Sequence, residues 1–527
     1  MPTLTFQLND VPDGGMRTFD LGDALVLVTR DGDAVHAMNG RCPHAGANLG
    51  EGVRCGDRVV CPWHHATFHA ASGALTEPPA LQGLAAYTVT RDGAQCTVDP
   101  AVPLERPAPA PQGRPEEHTV IVGGGPAGFM AAQTLRQEGY AGRVTLLTAE
   151  PHAPYDRTAL SKGYLSGKVQ EADLPLGGPD WARTHGVDLR AGTRVTAIDR
   201  ASGRVTVSGT GTFTADRVLV STGSQPVRPD RPGTALDGVF TLRTLEDARA
   251  LRDAARGADL VIVGGSFIGL EAASSLVQTA ASVTVVAQED EIMSRAVTPA
   301  VGRAVRRLHE EHGVTFRLGA ELDRLDGDGQ AVTGVTLRSG ETLPAGVVLL
   351  GTGVRPVTDL LGDAADEKGA VHPDALLRLD PDTLAAGDIA SAPTVLGEMR
   401  VEHWRVALQH GMVAAYTLLG RAGGADGESM GGEGTDVRVP FFWTQQYGKS
   451  LRYVGHAESL HDTACWGDPD AYDFMEFTFD GDRTVVASAM GRDRALAAFA
   501  ELLRMGRAPT PTEIRAGEFD LVERLTA

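Results

Sequence analysis

Residues 118–128 read HTVIVGGGPAG and residues 259–269 read DLVIVGGSFIG. Each couples a short β-branched run to a glycine-rich turn and an apolar stretch of helical spacing, the pattern of a strand–turn–helix unit. In the first, Gly123 permits the tight turn and Gly125 lets the backbone approach a pyrophosphate. Gly128 lets helix and strand pack closely, and the helix N-terminus then faces the phosphates. A following strand at Val144–Thr148 leads to Glu150, a candidate acceptor for a ribose hydroxyl. His118–Glu150 therefore reads as a dinucleotide-binding unit, and Ala258–Glu289 repeats its plan about 140 residues later.

In the second unit Gly264, Gly265 and Gly269 carry the turn, with Ser266 at the usual second-glycine position. The next strand, Val283–Val286, runs into Ala287, Gln288 and Glu289. Ala287 stands where an NADH enzyme often places Glu, and Glu289 is the substitute acceptor. No Arg or Lys lies near enough in sequence to suggest a 2′-phosphate site, so NADH is expected over NADPH. A third segment, Leu384–Ile389, is a short strand ending in Gly387 and Asp388. After two dinucleotide units, Asp388 is the expected contact of an FAD ribityl chain.

Cys42-Pro43-His44 and Cys61-Pro62-Trp63-His64 form two loops beside turn glycines. Facing loops of this kind can hold a [2Fe–2S] cluster, with Cys42 and Cys61 on one iron and His44 and His64 on the other. Structural zinc is the rival for such a donor set. Zinc fingers, however, keep the cysteine pair and the histidine pair apart, whereas each loop here carries one of each.

With 527 residues the chain has room for three or four domains. A net charge of -20 and a pI near 5.2 argue against nucleic-acid and anionic membrane partners. No apolar run reaches membrane-spanning length, and the first residues carry no basic and apolar leader pattern. Five cysteines (Cys42, Cys55, Cys61, Cys96, Cys465) are too few and too uneven for a disulfide framework, which makes the cytoplasm the expected compartment. Short strands broken by Gly and Asp mark residues 1–103 as a small all-β domain. The Pro-rich residues 104–117 read as an extended linker. Alternating strands and helices then imply parallel α/β sheets. The expected division is a first FAD-binding part at 118–241, an NAD(P)H-binding domain at 242–357, a second FAD-binding part at 358–432, and an α+β domain at 433–527 with a helix near Arg494–Met505.

CPHAGANLGEG (42–52) and CPWHHATF (61–68) resemble the Rieske ferredoxin family, a likeness covering residues 4–98. The segments PYDR (154–157), LSK (160–162), TLRTLEDA (241–248), GGSFIGLEAA (264–273), AAGDIA (385–390), EHWRVALQHG (402–411) and PFFWTQQYGKSLRYVGH (440–456) resemble the apoptosis-inducing-factor-like subfamily with an N-terminal Rieske domain. That subfamily is related to the ferredoxin reductases of bacterial oxygenases. The resemblance implies a multidomain fold: an all-β Rieske domain, two Rossmann-like domains of glutathione-reductase type, and a C-terminal α+β domain. It implies FAD, a [2Fe–2S] cluster and NADH as cofactors. It would place Lys162 near the flavin N5 edge, paired with Glu271, and Trp443 near the isoalloxazine. Arg157 would meet the FAD phosphates, and Glu402, His403 and Trp404 would line the flavin pocket. Two departures stand out. His65 replaces the family's usual Gly, and Ala47 and Trp63 occupy the positions of the disulfide found in high-potential Rieske proteins.

The implied activity is electron transfer from NAD(P)H through FAD to the fused cluster, and on to an unidentified acceptor protein or small molecule. An NADH oxidase reducing O₂ directly and a non-catalytic NADH sensor are the alternatives. The loop RTALSKGYL (157–165) holds no cysteine, which disfavours thiol chemistry. No second motif of two His and a carboxylate is present for a complete oxygenase. Residues 1–103 are acidic and lack lysine, so a partner with a basic patch is expected.

Overall fold

The computed structural model describes residues 2–105, 108–209, 211–421 and 439–526. The expected boundary between residues 432 and 433 lies outside the described residues.

The N-terminal domain is built on a six-stranded antiparallel sheet in the order Leu4–Gln7, Gln95–Pro103, Ala86–Asp92, Ala34–Asn39, Leu25–Asp31, Met16–Asp20. A smaller sheet, Val53–Cys55, Arg58–Val60, Thr67–His69 and Leu75–Glu77, stands beside it. Cys42 and His44 follow the strand Ala34–Asn39, and Cys61 and His64 fill the turn between Arg58–Val60 and Thr67–His69. Leu27, Met38, Leu49, Val59 and Phe68 pack beneath both loops and fix their spacing.

Two five-stranded parallel sheets follow. The first has the order Asp188–Arg190, Arg143–Leu147, His118–Val122, Arg217–Val220, Thr383–Ala385. The second has the order Val239–Phe240, Val347–Leu350, Asp259–Val263, Ser282–Val286, Val314–Arg317. In each the glycine turn joins the central strand to a helix, Pro126–Gln137 or Phe267–Leu276. Gly123 has a φ of +118°, and a Cβ there would overlap the Ser221 carbonyl; at Gly128 it would overlap the Gly123 carbonyl. Only glycine permits both approaches. The C-terminal domain is a five-stranded antiparallel sheet carrying the helix Asp493–Arg504 on one face.

The Pro-rich segment does not run free. Gln112 exchanges backbone bonds with Gly139 and Ala141 at 2.9 and 2.7 Å, and its side chain bonds the Glu138 carbonyl at 3.1 Å. Gly139, with no side chain, lets Ala110 approach. Repeated Pro disfavours helix interiors and central strands but allows a strap laid along a neighbouring turn.

Candidate functional site

The cluster loops bring their four predicted ligands together. His44 Nδ1 lies 3.0 Å from His64 Nδ1, and Cys42 and Cys61, both buried, share a hydrogen bond that lowers the thiol pKa of Cys42 and raises that of Cys61. Burial lowers the pKa of both histidines, most for His64, so the imidazoles are neutral. All five cysteines are free. Among the described residues no three His, Cys, Asp or Glu side chains converge on one ion.

A cleft of about 660 Å³ opens beside the first glycine turn. Pro126, Arg157, Lys162, Ser224, Arg243, Glu271, Asp388, Glu402, His403, Trp404 and Trp443 all reach its wall. Arg157 is held from behind by Glu150, which also accepts from Tyr155 Oη at 2.6 Å. Asp388 accepts from Ser224 Oγ at 2.7 Å and pairs with Arg243 at 2.9 Å. Two features fit this cleft to a flavin. A Cβ on Gly125 would meet no protein atom within 4 Å, and His403 Nδ1 is buried without a protein partner. Burial lowers the His403 pKa to about 4, so the ring is neutral. Glu402 is exposed and pairs with Arg400.

Lys162 sits on a π-turn, Leu160–Tyr164, that lifts its side chain into the cleft. Its Nζ donates to Glu271 Oε2 at 2.8 Å and to the Thr158 carbonyl at 3.2 Å. Glu271, on the helix Phe267–Leu276, also accepts from Ser161 Oγ at 2.5 Å and from Thr444 Oγ1 at 2.7 Å. The sequence reading names the pair but not Ser161 and Thr444. The alternation of Phe442, Thr444 and Gln446 along one strand face was the signal available for Thr444.

A second cleft, about 360 Å³, borders the second glycine turn and is lined by Gly264, Gly265, Gln288, Glu289, Arg231 and Arg295. Gly269 lies behind this turn, where a Cβ would overlap the Gly264 carbonyl. Glu289 lines this cleft beside Gln288. Arg295, six residues on in sequence, and Arg231, far from it in sequence, also reach this wall. Each is matched by an acid: Arg295 by Glu289 at 3.5 Å and Arg231 by Glu321 at 3.0 Å.

The Rieske domain is docked on the flavin side. The Trp443 indole lies 4.5 Å from the His64 ring and 6.0 Å from the His44 ring, centroid to centroid, while the same residue lines the flavin cleft. Around it, Arg452 donates to the Trp63 carbonyl at 2.6 Å, and Arg405 donates to the carbonyls of His65 and Pro78 at 3.1 and 3.0 Å. Arg405 pairs with Glu77 at 2.5 Å, and Arg58 bridges Glu77 and Glu501. His65 has a φ of +57°, the backbone that explains the family's glycine; its ring stacks on Phe441 at 4.1 Å. The departure at position 65 thus makes a contact between domains.

Two clefts, one beside each glycine turn and sharing Ser266, Phe267 and Arg295 in their walls, match the layout of a flavin-dependent pyridine nucleotide oxidoreductase. The chain belongs to the pyridine nucleotide-disulphide oxidoreductase family, which it matches over residues 117–411, with a Rieske [2Fe-2S] domain at 2–88 and a reductase C-terminal domain at 441–525. It is 32% identical to apoptosis-inducing factor 3 of Homo sapiens over 525 residues, covering 96% of this chain and 84% of that one. It is 34% identical to the biphenyl dioxygenase system ferredoxin–NAD(+) reductase component of Paraburkholderia xenovorans, covering 66% of this chain and 83% of that one. Its fold is similar to the covalent putidaredoxin reductase–putidaredoxin complex, with a TM-score of 0.71, 28% identity, and coverage of 78% of this chain and 98% of that chain. The protein is an FAD-dependent, ferredoxin-reductase-like pyridine nucleotide oxidoreductase that carries a [2Fe–2S] cluster. No helix among the described residues is long and apolar enough to cross a membrane.

Proposed function

We propose that this chain takes electrons from NADH at the flavin cleft, delivers them to its own Rieske cluster, and releases them from there to an external acceptor. The observation that carries the reading is Trp443, which lines the flavin cleft and touches both cluster histidines. When bound, FAD supplies the conversion of a hydride into single electrons.

The protein's own part is binding and orientation. Arg157, held by Glu150, and the N-terminus of Pro126–Gln137 receive the FAD pyrophosphate. Asp388, held by Ser224 and Arg243, receives the ribityl chain. Glu402, His403 and Trp404 shape the wall around the rings. Gly264, Gly265 and Gly269 let the nicotinamide nucleotide approach the second helix, with Glu289 on its ribose. Lys162, fixed by Glu271, places a positive charge at the flavin edge, where it favours the reduced form. Residues 1–103, 118–241 with 358–432, 242–357 and 433–527 are the four functional parts, with 104–117 as a strap between the first two.

The acceptor is a ferredoxin-type protein or a small molecule. Relatives are named as ferredoxin and rubredoxin reductases, and here the docked Rieske domain occupies the side of the flavin cleft marked by Trp443. A reducing cytoplasmic compartment agrees with five free cysteines. The test is an anaerobic NADH titration followed by visible absorption and low-temperature EPR. Flavin bleaching accompanied by the EPR signal of a reduced Rieske centre is expected; bleaching alone would sink the internal path and favour direct reduction of O₂.

A further inference from the structure

Glu271 stands at the end of a chain of hydrogen bonds that starts about four side chains away, near the surface. Tyr447 Oη lies 3.2 Å from His309 Nδ1. His309 Nε2 lies 2.5 Å from Gln446 Oε1, Gln446 Nε2 donates to Thr444 Oγ1 at 3.1 Å, and Thr444 Oγ1 donates to Glu271 Oε1 at 2.7 Å. His309, Gln446, Thr444 and Glu271 are all buried, at 0 to 4% exposure.

The chemistry of each group fixes the direction. The Thr444 hydroxyl gives its one proton to Glu271 Oε1 and accepts the Gln446 amide N–H on its lone pair. The Gln446 oxygen is then left for a donor, and His309 Nε2–H is the one in reach. Burial lowers the His309 pKa to about 4, so the ring is neutral and carries a single proton. With that proton on Nε2, Nδ1 accepts from Tyr447. Every donor in the chain therefore points toward Glu271, and bonds aligned this way polarise one another.

The parts come from separate elements. His309 is on the helix Pro299–Glu311, Glu271 on Phe267–Leu276, and Thr444 and Gln446 on the strand Phe441–Gln446. Tyr447 holds the first turn position of the hairpin that follows, at φ +52° beside Gly448 at +78°. Such turns favour Asn-Gly, and a bulky aromatic there is uncommon. This tyrosine stacks on His312 at 3.9 Å, which holds its hydroxyl over His309.

We propose that Tyr447, His309, Gln446 and Thr444 are positioning residues: a one-way hydrogen-bond array that fixes the Glu271 carboxylate and, through it, aims Lys162 into the flavin cleft. This rests on the reading of Lys162 and Glu271 given above. None of the four touches the cofactor in this proposal; they act through Glu271.

The test uses the full-length holoprotein and two readouts. In the first, flavin reduction by NADH is followed by stopped flow. Thr444→Val is expected to slow it about tenfold, the cost of one charge-assisted bond, with NADH affinity unchanged, and Thr444→Ser is expected to restore it. Gln446→Leu should slow it about threefold, and the double variant Thr444→Val/Gln446→Leu should be no slower than Thr444→Val. In a Glu271→Gln background, Thr444→Val should add no further loss; an added loss would overturn the array. If Glu271→Gln alone left the rate unchanged, the role of the Lys162–Glu271 pair would fail instead. The second readout is ¹⁵N NMR of His309, expected to show the neutral Nε2–H form near pH 7 and to shift on Thr444→Val. An Nδ1–H form would reverse the chain and refute it, whatever the kinetics.

Discussion

The indole of Trp443 and the imidazole of His64 lie 4.5 Å apart, centroid to centroid, with their planes inclined at 53°. One residue belongs to the C-terminal sheet and the other to the cluster loop, so this contact joins two domains through residues 379 apart in the chain. The linker alone would only raise the effective concentration of the cluster near the flavin. The observed contacts go further and define one orientation.

Trp443→Ala is expected to leave flavin reduction by NADH within about twofold of wild type while slowing cluster reduction by at least about tenfold, because it opens a gap between the two redox sites without removing either. Trp443→Phe should recover most of the rate. Freeze-quench EPR set beside the flavin absorbance separates the two steps. Equal slowing of both would place Trp443 with the hydride step.

The buried charges at the seam give a pH prediction. Burial alone would raise the Glu77 pKa, but Arg58 and then Arg405 outweigh it and bring the carboxyl down to about 2. A carboxylate with a folded pKa below its unfolded value contributes stability that is present above the unfolded pKa, about 4.3, and is lost as pH falls through the folded one. Docking should therefore hold at neutral pH and weaken between about pH 4.5 and pH 2. Removing one partner of such a set strands the others, so Arg405→Met should destabilise the protein by about 3 kcal/mol. Thermal unfolding from pH 7 down to pH 3 would measure both; a flat profile for wild type would contradict the role of Glu77.

The local motifs are where the sequence was most readable. Cys42, His44, Cys61 and His64, and the glycines of both turns, sit in local motifs whose spacing is itself the geometry. Pairing Lys162 with Glu271 required the family resemblance, since 109 residues separate them. What stayed hidden depends on contacts between domains. Glu77, Arg405, Arg58 and Glu501 lie in four different elements, and nothing in their local sequence marks buried charges. His65 looked like a local departure in a glycine position, and only the docked Phe441 explains its ring. Arg231 was missed because its segment returns to the nicotinamide cleft from a distant part of the chain.

The cluster assignment is tested by composition as well as spectrum. His44→Ala should abolish the Rieske EPR signal and lower iron and acid-labile sulfide together, because removing one ligand leaves that iron a single protein donor. NADH-dependent reduction of ferricyanide, which draws on the flavin, should persist. Zinc in place of iron in the purified wild-type protein would overturn the assignment outright.

Nucleotide preference turns on Glu289. Its carboxylate lines the second cleft and faces Arg295 at 3.5 Å, so the arginine's charge is offset before any 2′-phosphate arrives. A 2′-phosphate placed there would meet a carboxylate, a like-charge contact that disfavours NADPH. Glu289→Ala removes that repulsion and frees Arg295, which is largely exposed and mobile enough to turn toward the phosphate. The ratio of kcat/KM for NADPH to that for NADH should rise by about tenfold, mostly through a lower KM for NADPH. Steady-state kinetics with ferricyanide as acceptor would read the ratio without involving the cluster. Should the ratio stay fixed, the ribose acceptor must be sought at Gln288 or at Glu321, the other acid on this wall.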